Sequence, residues 1–234
     1  MDGASLSFLR WGLARLTLGA AVGLAAGCGH GQLLPADSAN LVPGAPDSAF
    51  AEEGGIRVAV SGDDWKGDPK DLGDHLTPVK VRVVNRSGHP IQILYERFSL
   101  VGAGGHTYRP LPVVPLDHQG SGARLLPFFA TANFFVGPRY RDVYPSLDAW
   151  PDPLPRDDAF YDRQYRRWGQ MHPTPQMMRS ALPEGVLGDG GEMSGYLYFE
   201  NATRHEDRVK FKVELDEGHG GEVVASVDVP LRVD

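Results

Sequence analysis

The chain has 234 residues, with 23 Lys and Arg against 30 Asp and Glu, a formal net charge of −7. That balance excludes a nucleic-acid binder, which needs a basic stripe, and a single cysteine excludes a disulfide framework or a cysteine zinc site. The 29 glycines and 19 prolines argue against an all-helical fold and for strands joined by many turns.

Arg10 and Arg15 give the N-terminus a positive front, and an apolar run follows from Leu16 to Ala26. The run is too short to cross a hydrocarbon core of ~30 Å, which takes about 20 apolar residues. It has the length of the apolar region of a secretory signal. Residues 1–27 are therefore expected to be a signal peptide. Residues 28–54 are rich in Ala, Pro, Gly, Ser and Asp, and show no hydrophobic period. They read as a flexible tether with a mean reach of about 25–30 Å.

A β domain is expected over residues 55–234. Ile56–Val60 alternates and predicts a strand, as do Val79–Asn85, Ile91–Tyr95 and Phe98–Val101. Between the first two, Asp63, Asp64, Asp68, Asp71 and Asp74 form an acidic loop, read as a solvated turn rather than a calcium loop. Gly102–Gly105 predicts a hairpin turn into Thr107–Tyr108. Near the C-terminus Gly195–Glu200 predicts a strand. Val209, Phe211, Val213 and Leu215 then alternate with Lys210, Lys212 and Glu214, as in a sheet with one wet face. Val223–Val229 repeats the pattern. About seven such strands imply an all-β fold, an antiparallel β-sandwich.

An insertion of about residues 116–180 interrupts it, rich in aromatic rings, prolines and arginines. It is expected to contain one or two short helices: Asp157–Trp168, stopped by Gly169, and one after Thr174-Pro175. Ala130–Val136 reads as a further strand.

Ala26 and Gly27 directly before Cys28 resemble the lipobox of bacterial lipoproteins, although Ala25 stands where that family favours Leu. The resemblance implies that Cys28 is the first mature residue, carrying a diacylglycerol thioether and an amide-linked acyl chain such as palmitate. Two or three chains suffice for stable anchoring. It implies a membrane-anchored location in the cell envelope. Gly29, in place of an inner-membrane retention Asp, favours the outer membrane. The Val79–Asn85, Phe98–Val101 and Gly195–Phe199 strands, with Leu182–Gly185 before the last, are similar to the immunoglobulin-like domains common in such lipoproteins. That similarity implies a fold and no activity.

The best candidate for a working surface is the insertion, with Trp150, Tyr161, Tyr165 and Trp168 as anchors, since Trp, Tyr and Arg dominate binding interfaces. Its partner would be another envelope protein, a polysaccharide stacked on the rings, or a second copy. The competing expectation is that these rings cap one edge of the sandwich. No catalytic residue, cofactor or metal site is assigned. The primary expectation is a lipid-anchored, non-enzymatic binding or structural module. Two alternatives remain open. One is an envelope hydrolase acting on glycan or peptide, although no Gly-x-Ser-x-Gly elbow is present and Ser121 reads as a turn. The other is a copper-handling lipoprotein using Met171, His172, Met177 and Met178, soft donors that suit Cu(I).

Overall fold

A computed structural model describes residues 31–62, 65–114, 133–137, 140, 143–144, 157–169, 171–218 and 222–234. Residues 1–30, with Cys28, lie outside this set, as do Ser121, Trp150 and most of 115–156.

In chain order the strands are β1 (Leu33–Pro35), β2 (Asn40–Val42), β3 (Ala45–Glu53), β4 (Ile56–Ser61), β5 (Leu76–Asn85), β6 (Ile91–Ile93), β7 (Phe98–Gly102) and β8 (Thr107–Tyr108). They continue as β9 (Phe134–Val136), β10 (Gly185–Leu187), β11 (Glu192–Glu200), β12 (Arg208–Asp216) and β13 (Val223–Val233). Among the described residues there are three short α-helices, α1 (Leu72–His75), α2 (Asp158–Arg166) and α3 (Pro175–Ser180). The fold is an all-β antiparallel sandwich. One sheet runs β1-β13-β12-β7-β8 and the other β11-β5-β4-β3-β2. A small sheet, β6-β10-β9, completes it.

Alternation explains the two large sheets. On β12 the apolar set Val209, Phe211, Val213 and Leu215 is buried, and Phe211 and Val213 pair with Val229 and Val227 of β13. On β5 Val79, Val81 and Val83 point inward, opposite Leu197, Gly195 and Met193 of β11. The two valine-rich faces meet as one dry core, which removes apolar surface from water at roughly 25 cal/mol per Å².

The tether read into residues 28–54 is corrected here. Leu33 is buried and pairs with Val233 of β13, while β2 and β3 extend the second sheet beyond β4. Ala49 is buried opposite Val60, so a small residue fills the inward position. Pro35 is tolerated because β1 is an edge strand. Leu33 lies so close to Gly62 that a Cβ at Gly62 would fall 2.3 Å from the Leu33 Cβ. The folded body thus begins within five residues of Cys28.

Both helices expected in the insertion form. Gly169 has φ +57°, the left-handed conformation that ends α2. The Thr174 hydroxyl accepts the Met177 N–H at 3.1 Å, with Pro175 beginning α3. The insertion leaves and rejoins the sandwich along the free edge of β11. Leu111 N–H donates to Tyr198 O at 2.7 Å, and Leu182 N–H donates to Tyr196 O at 2.9 Å. Gly195 makes the second approach feasible, since a Cβ there would sit 2.4 Å from Leu182 N.

Candidate functional site

A second, smaller core holds the insertion on the outer side of β11. Leu72, Leu76, Leu111, Val113, Trp168, Met177, Ala181 and Tyr198 are buried together. The polar tips of the large rings are satisfied there, as buried Tyr and Trp require. Trp168 Nε1 donates to Pro112 O at 2.7 Å and Tyr198 Oη to Met177 O at 3.1 Å. Trp65 closes the cluster, with its ring 5.2 Å from that of Tyr196.

These facts bear on the candidate interface residues. Tyr161 and Trp168 are 1 % and 5 % exposed, so they are not part of an exposed aromatic patch. Burying a ring and pairing its polar tip is the stronger demand at both positions. Tyr165 is half-buried against the second core, and Trp150 lies outside the described residues. Of the soft donors, Met177 is fully buried in the second core, Met171 and Met178 pack against it, and His172 is exposed. Among the described residues no three His, Cys, Asp or Glu side chains gather to hold a metal. His106, His172 and His205 lie exposed in separate loops.

Glu184 is 2 % exposed and ties three segments together. Its Oε1 accepts the Tyr95 N–H at 2.7 Å and a short hydrogen bond from the Tyr161 hydroxyl on α2. Tyr95 Oη donates to Leu182 O at 2.8 Å and accepts from Tyr140 Oη at 2.7 Å. The Tyr140 ring stacks on Tyr144 at 5.9 Å. Burial, helped by Tyr140, pushes the Tyr95 phenol well above its ordinary value, and burial pushes Tyr144 up to about 12. The Tyr95 phenol therefore stays protonated and donates to Leu182 O. This knot is built to hold α2 against β10, with the carboxylate enclosed by the groups it binds.

Glu96 pins the other end of α2, its Oε2 accepting the Asp157 N–H at 2.7 Å. Desolvation raises the Glu96 carboxyl above its ordinary 4.5, against the lowering by that hydrogen bond. A raised folded-state value means the group favours the fold below about 4.5, and this contribution is lost as pH rises through the folded value. Glu96→Gln removes the ionisation and keeps an acceptor. Its melting temperature is expected to gain on the wild type between pH 4 and pH 7; an unchanged difference would show that Glu96 is not desolvated.

The outer face of the second sheet offers a different surface. Cross-strand neighbours place Phe50, Ala59, Arg82 and Ser194 in one row across β3, β4, β5 and β11. Ser48, Ser61, Lys80 and Tyr196 form the next. The Arg57 guanidinium lies 4.8 Å over the Phe50 ring and pairs with Glu52 at 2.7 Å. Arg82 makes two 2.8 Å bonds to Glu192. Two depressions lie on this face. One of about 180 Å³ is floored by Phe50, Ala59 and Val84, and Arg86 also lines it. The other, about 570 Å³, separates α3 from β11 and is lined by Lys80, Tyr144, Arg179, Ser180, Ser194 and Tyr196. The alternation of Lys80 and Arg82 was visible in sequence; which strands stand beside them was not.

Compared with known proteins, the chain matches no protein-family model, no curated protein and no solved structure.

Proposed function

We propose that this protein is a lipid-anchored component of a bacterial cell envelope that works as a non-enzymatic binding or structural module. The observation that carries the reading is Cys28, the sole cysteine, placed directly after the apolar run Leu16–Ala26 and its arginine front. Among the described residues no helix is long and apolar enough to cross a membrane. The enclosure of Glu184 and of the phenols around it supports a structural use for these groups rather than a catalytic one.

Cys28 to Leu33 spans five residue steps, at most about 17 Å when fully extended. The body then sits close against the bilayer, without the longer reach of a 26-residue tether. Cys28→Ala is expected to abolish acyl labelling and move the protein out of the membrane fraction, with its melting temperature unchanged. Retention of that variant in the membrane would overturn the reading.

A further inference from the structure

We infer that the outer face of the β11-β5-β4-β3-β2 sheet binds an acidic polysaccharide. This inference rests on the reading of the protein as a binding module and names the ligand class and the surface.

Charge is the first observation. The chain as a whole is net −7. Yet the described residues lining the two depressions of this face include Arg57, Lys80, Arg82, Arg86 and Arg179, against Glu52 and Glu192. Such a local reversal of sign attracts an anionic ligand and repels the acidic remainder of other copies. Both acids are already engaged, by Arg57 and Arg82. Arg86 and Arg179 are exposed and have no acidic partner among the described residues. Phe50, Ala59 and Ser194 of one row are half-buried and Arg82 is exposed; in the next row Ser61 is buried and Tyr196 packs against Trp65.

The shape and chemistry between the cations select a sugar chain over other anions. Phe50, Ala59 and Val84 give a half-buried apolar floor in one depression, and the half-buried Tyr196 ring borders the other. The C–H face of a pyranose packs on such surface. Ser48, Ser180 and Ser194 offer hydroxyls that match those of a saccharide. Strands lie about 4.8 Å apart, so the four-strand row is about 15 Å across, long enough for a segment of polymer rather than one small ion. An acidic peptide would gain most by adding a strand, but the β11 edge is already taken by Leu111 and Leu182, and the other edge, β2, is only three residues long. A bilayer is disfavoured by the anchor. Gly31 and Leu33 pass Thr203 and Gly62, at the strand ends, so a short anchor draws that end toward the membrane and leaves the sheet face standing away from it.

The test uses the full-length protein in neutral detergent micelles, with polygalacturonate as probe and dextran as the uncharged control. Polygalacturonate is expected to bind, dextran not, and 0.5 M NaCl to weaken binding strongly. The double variant R86E/R179E is expected to bind at least tenfold more weakly at an unchanged melting temperature, since neither side chain holds the fold. Lys212→Gln, on the opposite sheet, is expected to bind as the wild type does. Absence of wild-type binding, or binding indifferent to R86E/R179E, would overturn the assignment. Equal binding to poly-glutamate would give the face to acidic protein, and stronger binding to phosphatidylglycerol vesicles would give it to lipid; either result overturns the polysaccharide. None of these outcomes touches acylation, so the Cys28→Ala fractionation fails or succeeds independently.

Discussion

Glu184→Ala is expected to destabilise the protein by about 3–5 kcal/mol. The Tyr95 N–H and the Tyr161 hydroxyl both lose their acceptor inside the protein, and an orphaned buried donor costs roughly 1–3 kcal/mol. A cavity in the knot adds to that. Glu184→Gln keeps one acceptor oxygen and is expected to lose only about half as much. Urea unfolding at pH 7 measures both. Because the knot joins α2 to β10, limited proteolysis within 157–169 is expected to speed up in the alanine variant. A loss below 1 kcal/mol, with proteolysis unchanged, would mean that α2 is held by its ring contacts alone.

The second large effect concerns Arg97 and Asp216, whose ion pair is short and whose carboxylate is 2 % exposed. Removing one partner of a buried pair leaves an uncompensated charge, at a cost of about 3–5 kcal/mol. Arg97 is itself about one-third exposed, so Arg97→Ala is expected near the lower end of that range, about 3 kcal/mol. Burial holds the Asp216 carboxyl above its ordinary 3.8, opposed by Arg97. Without Arg97 that opposition is gone and the carboxyl rises further. The penalty is then present at neutral pH and shrinks as pH falls through the raised value, because the protonated acid carries no buried charge. Asp216→Asn on top of Arg97→Ala is expected to recover most of the loss at pH 7. A double variant no better than the single would place the damage in lost packing of the arginine stem.

The sandwich was legible where side chains alternate over a full strand. β12 and β13 show it best, since each inward residue is β-branched, Leu, Ala or Phe and most outward ones are polar. β3 was not legible. Ala45–Glu53 has no β-branched residue and carries Pro46; it is a strand because β4 offers an edge that pairs with it from Ser48 to Glu53, with Ala49 buried. β10 is three residues long and begins with Gly185, where a Cβ would lie 2.0 Å from Phe135 O. Nothing local marks it as the middle of a sheet. The insertion misled for a different reason. Cores and binding surfaces use the same aromatic residues, and the deciding feature is where the polar tip goes. Trp168 finds Pro112 O and Tyr161 finds Glu184, partners supplied by distant parts of the chain. Glu184 itself sits in Leu-Pro-Glu-Gly, a sequence that reads as a solvated turn until Tyr95 and Tyr161 close over it.

The pairing of Leu111 and Leu182 along β11 has a consequence for self-association. β11 is nine residues long and includes Tyr196, Leu197, Tyr198 and Phe199. Left bare, such a rim is a template for a neighbouring chain. The two segments that cover it come from opposite ends of the insertion, so a single nick between them leaves both in place. Weakening of the knot or of the second core peels them off together. A protein damaged in that way would both lose stability and clump at high concentration, because the bared rim can pair with a second copy.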